Sequence, residues 1–375
     1  YLRDIARYGE IVEERQKEER ITLEEVQKSG FREVTLNLAY DKIVEVMELS
    51  NMELKEVTLD LSKNEIAEAE AISNMELKEV TLKLGDNNIA KAEALAEMEL
   101  KERVTLWLER NEIDEAKAIS KMELKEVMLY LSKNNIDEAK ALAEMELKEV
   151  RLYLSENNID EAKALAEMEL KEVRLYLSEN NIDEVMELSK MELKEVTLDL
   201  GNNNIAKAEA IANNLNLKEW VTLNLGENNI AGGAEAIANN LNLKEGMSLN
   251  LEGNDIAKAK AISKMELKEV CLDLDNNIDR AEAIAKNLNL KEGVSLCLRD
   301  NFIDEAEAIA KNLKLKEGVS LYLRDNFIDE AEALSKMELR EVTLDLRHNN
   351  IAERGILENW VADAKARGIN CEVLF

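Results

Sequence analysis

The chain has 375 residues, 34% of them charged, with a formal net charge of −30. That balance argues against a nucleic-acid role, which needs a basic footprint, and disfavours an anionic membrane surface. Apolar residues make up 46% and aromatic residues only 4%, so the core must be aliphatic.

In chain order, residues 1–30 are charge-rich; Leu2, Ile5, Ile11 and Val12 predict one helix and Leu23–Lys28 a second. Between Val34 and Val342 a Leu-x-x-Val-x-Leu-x-Leu-x-x-Asn-x-Ile phrase then recurs fourteen times. Its step is mostly 23 residues, rising in places to 24, 25 or 26. A fixed period of this size marks a solenoid in which each repeat leans on its neighbours. Residues 31–351 form that array, and residues 1–30 read as its N-terminal helical cap.

Within one repeat, Val57-Thr58-Leu59-Asp60-Leu61 alternates with period two, as a short strand with one buried face does. Asn64 follows, and its equivalents recur from Asn87 to Asn349. Asparagine supplies both donors and an acceptor, so a stacked row of them predicts a ladder satisfying buried turn amides. Ile66, Ala69 and Ile72, three residues apart, predict a short helix on the far side of the unit. Met75 and Leu77 then return the chain to the next strand. One parallel strand per repeat, with helices on the outer wall, predicts a curved array. From Val196 onward longer returns such as Asn-Leu-Asn-Leu-Lys-Glu alter the spacing. Residues 352–375 read as a C-terminal cap, with a helix over 355–366, a turn at Gly368 and a terminal strand over 369–375.

Proline is absent, where average usage near ~5% predicts roughly nineteen. Asn134–Glu161 and Asn157–Glu184 are identical over 28 residues. Recent duplication and consensus-style design both account for this. Three cysteines are too few for a disulfide framework. Cys271 and Cys297 fall on successive strands two residues out of step, and Cys371 has no evident partner. With no sequon, signal-peptide core or apolar run of transmembrane length, the chain reads as cytoplasmic.

The repeated phrase resembles the leucine-rich-repeat signature. Gly233-Ala234-Glu235-Ala236-Ile237-Ala238-Asn239-Asn240-Leu241 is similar to the helical half of ribonuclease-inhibitor-like and GALA-type repeats. The resemblance covers Phe31 to about Ile351, with shorter helical halves and fewer glycines than those families. It implies an α/β leucine-rich-repeat solenoid, a curved horseshoe with parallel strands on the concave face and short helices on the convex face. It also implies protein–protein recognition on the concave face. GALA-type proteins add an F-box, which nothing in residues 1–30 supports.

Two outward positions per strand form columns along that face. One column carries Met128, Arg151 and Arg174 among threonines and serines. The other is mostly Asp, Asn or Lys, but four consecutive repeats place Trp107, Tyr130, Tyr153 and Tyr176 there. These residue types are enriched at binding hot spots, and exposed aromatics carry a solubility cost. Against this, tyrosine suits strands and pairs well across them, and Tyr153 and Tyr176 sit in duplicated units.

Catalysis has little support. His348, the only histidine, sits in a turn beside Asn349. Cys271 and Cys297 lack a base to activate a thiolate. Glu56, Glu126 and Glu149 are repeated along the array, whereas acid/base pairs need distinct environments. The spacing of Cys271, Asp273 and Cys297 matches no metal-ligand motif. The expectation is a non-enzymatic scaffold, without cofactor or metal, binding a protein with a basic surface. The alternatives are a structural or designed array with no native ligand and, below it, a glycan-binding surface. Stacked aromatics about 4.8 Å apart would leave sugars little room.

Overall fold

The computed structural model describes residues 33–39, 56–67, 79–90, 95, 103–114, 119, 126–137, 142, 149–160, 165, 172–183, 185, 195–205, 221–230, 248–254, 266–267, 271–273, 289–290, 293–304, 307, 318–336 and 342–375. The expected N-terminal helices, most of the expected outer helices and Asn276 lie outside these residues. The chain divides into two compact units, Tyr1–Tyr176 and Leu177–Phe375.

The first unit holds β1 (Glu33–Asn37), β2 (Glu56–Asp60), β3 (Glu79–Lys83), β4 (Arg103–Trp107), β5 (Glu126–Tyr130), β6 (Glu149–Tyr153) and β7 (Glu172–Tyr176). Each pairs in parallel with the next, and equivalent residues face each other without slippage. Alternation decides which residues point where. Leu82, Leu106, Leu129, Leu152 and Leu175 form an inward column, each at most 1% exposed. Burying a leucine stabilises by roughly 1.5–3 kcal/mol, so this column is the main local reason the strands stack. Thr58 and Asp60, on the opposite face, are half-buried.

The second unit holds β8 (Glu195–Asp199), β9 (Val221–Asn224), β10 (Ser248–Asn250), β11 (Glu266–Leu267), β12 (Cys271–Asp273), β13 (Asn289–Leu290), β14 (Ser295–Cys297) and β15 (Val319–Tyr322). Helix α1 (Ala331–Leu334), β16 (Val342–Asp345), α2 (Arg354–Ala366) and β17 (Cys371–Leu374) complete it. Its main sheet is again parallel and in sequence order. β11 and β13 form a separate parallel pair. They lie in the return segments, for which the sequence predicts no regular structure. Their Leu-centred return phrases are too short to show strand periodicity.

Among the described residues, the main-sheet strands are repeatedly followed by one turn, built on asparagine. Asn87 donates to Leu61 O at 3.0 Å and to Leu84 O at 2.9 Å. Its Oδ1 accepts from Ile66 N at 3.1 Å. Asn111, Asn134 and Asn157 repeat this pattern. In the second unit Asn203, Asn228, Asn254, Asn326 and Asn349 do the same. These side chains are at most 7% exposed. The expected ladder is therefore present among the described residues.

The residue just before each asparagine adopts a left-handed conformation, and it is seldom glycine. Lys63, Asp86, Arg110, Lys133, Glu156, Glu179, Asn202, Glu227, Asp300, Asp325 and His348 have φ between 50° and 59°. Among the described residues only Gly253, with φ 65°, uses the permissive residue there. A left-handed L-residue costs about 1–2 kcal/mol, and the ladder offsets that cost. Glu179 is exposed, with its N–H donating to Gly201 O at 2.9 Å. Glu179→Gly should thus exceed Glu179→Val in stability by more than about 1 kcal/mol. Thermal denaturation of the two variants measures this difference.

At the end of the chain, α2 buries Leu357 and Ala364, and Gly368 turns at φ 77°. β17 then adds in parallel to β16. Asp345 is 2% exposed and receives Arg347 Nη2 at 2.7 Å and Nε at 3.0 Å. The Arg347 hydrogen bonds hold its carboxyl below the usual carboxylate range. A depressed folded pKa means stability that is present above the unfolded value and lost as pH falls through the folded one. Urea titrations below about pH 4 should show Asp345→Asn losing less stability on acidification than the parent protein.

Candidate functional site

The outward strand positions arise from the same alternation that fills the core. At six described strand ends where such a position is Asp or Asn, the fold itself uses it. Asn37 Oδ1 accepts from Ala39 N at 3.1 Å, and Asp60 Oδ1 from Ser62 N at 3.1 Å. Asp199, Asn224, Asn250 and Asp345 likewise receive the N–H two residues on. This is an Asx turn, which bends the chain out of the strand. The recurrence of Asp or Asn at this last outward strand position was visible in the sequence and carries this meaning.

Trp107, Tyr130, Tyr153 and Tyr176 occupy this position on β4 to β7, and an aromatic ring cannot provide the cap. The register sets them side by side. Their ring centres lie 4.1, 4.3 and 4.4 Å apart, with interplanar angles of 17°, 7° and 4°. Lys83 Nζ stands 5.7 Å from the Trp107 ring centre and 3.5 Å from Asp60 Oδ2. All four rings are half-buried. Burial, then the proximity of Tyr153, pushes the Tyr130 and Tyr176 phenols above their ordinary range.

Met128, Arg151 and Arg174 fall in the adjacent column, also in register. Arg151 and Arg174 are exposed, Met128 is half-buried, and Arg151 Nη1 lies 3.7 Å from Met128 Sδ. The seven residues picked out from the sequence are thus contiguous on one strand face. The backbone register also runs Glu126, Glu149 and Glu172 along the same strands.

Glu109, on β4's exit, extends the face toward Gly85. A Cβ at Gly85 would lie 3.1 Å from the Glu109 carboxyl carbon, so the glycine leaves room for that side chain. Desolvation raises the Glu109 pKa, with nearby Asp86 adding to the effect. Its Oε2 and Trp107 Nε1 are buried without a hydrogen-bond partner among the described residues. An acceptor and a donor left unmet beside the aromatic row are what an incoming polar group could satisfy.

Sequence reasoning missed a second feature. Phe302 and Phe327 are 51% and 53% exposed, and their rings stack at 6.0 Å. They follow Asn301 and Asn326, where most other repeats carry a polar residue. Comparing the position after each asparagine would have found them. His348 Nδ1 pairs with Asp325 Oδ1 at 2.7 Å, a surface contact with no catalytic partner in range among the described residues. β12 and β14 pair Cys271 with Ser295 and Asp273 with Cys297. Among the described residues no group of three metal-ligating side chains is assembled. No described helix is long and apolar enough to cross a membrane.

No protein-family model matches the sequence, and the search of curated proteins found no match. Solved structures do resemble it. A leucine-rich-repeat protein from Leptospira interrogans is 18% identical, with a TM-score of 0.49, over 94% of this chain and 98% of that one. An internalin from Listeria monocytogenes is 19% identical, with a TM-score of 0.45, over 88% of this chain and 93% of that one. With identities under 20% and TM-scores under 0.5, these likenesses carry no argument about this chain. Its own in-register parallel strands and asparagine ladder make the described residues of each unit a parallel-strand solenoid, the architecture that the repeated phrase implies.

Proposed function

We propose that the strand face of the first unit binds a protein partner, without catalysis, through Trp107, Tyr130, Tyr153 and Tyr176 with Met128, Arg151 and Arg174 at their side. One observation carries this reading. Four successive repeats lack the Asx cap that Asn37, Asp60, Asp199, Asn224, Asn250 and Asp345 provide and put rings in its place. A hydrogen bond contributes about 0.5–1.5 kcal/mol and an aromatic pair about 0.5–1.5 kcal/mol beyond burial. Stacking thus offsets the lost cap, and it gathers Trp, Tyr and Arg, the types that dominate hot spots, on one outward face. The net charge of −30 favours a partner with a basic surface and salt-dependent capture.

Replacing all four rings by serine should abolish partner capture in pull-downs at low and high salt while leaving far-UV circular dichroism unchanged. Capture that survives the substitution removes this face from consideration. The second reading is a structural array without a native ligand, favoured by the 28-residue identity of Asn134–Glu161 and Asn157–Glu184. Pull-downs that recover nothing specific at either salt concentration support that reading. A glycan site fits less well, because parallel rings 4.1–4.4 Å apart cover one another's faces.

A further inference from the structure

The geometry points to Tyr130, Tyr153 and Tyr176 as an oxidative cross-linking site, where a one-electron oxidant joins stacked neighbours as dityrosine. The inference needs no partner and stands apart from the binding reading. Coupling of two phenoxyl radicals is limited by how often they meet, and here meeting is built in. Ring centres are 4.3 and 4.4 Å apart with planes within 7° of parallel, close to the roughly 3.5–4.0 Å of carbon–carbon contact. The strand backbones hold them there through an unbroken register. Tyr153 lies between Tyr130 and Tyr176 in register, so each of its ring faces carries a tyrosine neighbour.

Each phenol gives one electron to the oxidant and its hydroxyl proton to water. The two phenoxyl radicals then join through a carbon ortho to each oxygen. The hydrogens on those carbons move to the oxygens, and both phenols are restored. The sum is two electrons and two protons lost, and one carbon–carbon bond gained. The link ties successive repeats covalently and should raise the denaturation midpoint, since it shortens the unfolded chain's free loop. Tyr322 is an internal control: its register neighbours are Cys297 and Asp345, not tyrosine.

The test uses the full chain illuminated with a ruthenium tris-bipyridyl sensitiser and persulfate as electron acceptor. Monomer is then isolated and digested with trypsin. Two linked peptide pairs are expected: 126–133 with 152–163, and 152–163 with 175–190. Each should weigh two hydrogens less than its parts. Tyr153→Phe keeps a stacking ring but removes the central phenol, so both pairs should vanish while far-UV circular dichroism is unchanged. The inference is overturned by absence of both pairs from wild-type monomer. Tyr322 links in comparable yield would overturn it as well, as would dityrosine persisting in Tyr153→Phe.

Discussion

Asn134→Ala should destabilise the first unit by about 3 kcal/mol in chemical denaturation, more than most surface changes. The reason lies in which groups lose their only partner. Asn134 Nδ2 donates to Leu108 O and Leu131 O, both at 2.9 Å, and its Oδ1 accepts from Ile113 N at 3.1 Å. The two carbonyls keep a donor each, from Asn111 and Asn157 at 3.0 Å. Ile113 N, buried, keeps none of the described acceptors, and an orphaned buried group costs about 1–3 kcal/mol beyond the lost bonds. Asn134→Asp sharpens the test. It retains an acceptor for Ile113 N but turns a carboxylate oxygen toward two carbonyl oxygens at a position 6% exposed. Burial raises such a pKa, so the variant's stability is present below the unfolded carboxylate value and lost as pH rises. At neutral pH the aspartate variant should be the weaker of the two, and below about pH 4 its neutral carboxyl, accepting from Ile113 N and donating to one carbonyl, should make it the more stable. An aspartate that is as stable as asparagine at neutral pH would show that the ladder is not carrying the turn.

How much of this was legible in the sequence follows from what repeats. The strand phase, the inward leucines and the asparagine ladder could be read because each is dictated by a local period and copied many times. The left-handed residue before each asparagine was hidden, since Lys63, Arg110, Glu156 and His348 share no side-chain chemistry. Only the backbone demands that conformation. The return strands β11 and β13 were hidden for another reason: two-residue pairings show no alternation. The candidate site divides the same way. Trp107 to Tyr176 stood out against a polar column, and register alone sets them adjacent. The meaning of that column was not legible until Asp60, Asn224 and Asp345 were seen capping the N–H two residues on. Phe302 and Phe327 escaped because the position after the asparagine belongs to no strand, so no alternation draws attention to it.

Leu129→Ala tests how far one repeat feels another. Leu129 is 0% exposed and faces Leu106 and Leu152 in register. Truncation should cost about 2–5 kcal/mol, while Leu129→Met should cost under about 1.5 kcal/mol, because it keeps volume and changes shape. Pairing Leu129→Ala with Leu152→Ala should cost less than the sum, since adjacent cavities share walls that can relax together. Pairing it with Leu59→Ala should be additive to within about 0.5 kcal/mol, because three strand spacings, about 14 Å, separate the two. Nearest-neighbour stability of this kind is what a repeat array predicts. If the distant pair couples as strongly as the adjacent pair, the unit folds as one cooperative core. The result bears directly on the binding face. Trp107, Tyr130, Tyr153 and Tyr176 lie on the side of the strands opposite Leu106, Leu129, Leu152 and Leu175. Where coupling fades over one strand and does not cross the sheet, serine at the four outward positions leaves the inward column standing. Loss of capture in that variant then measures the surface and not the fold.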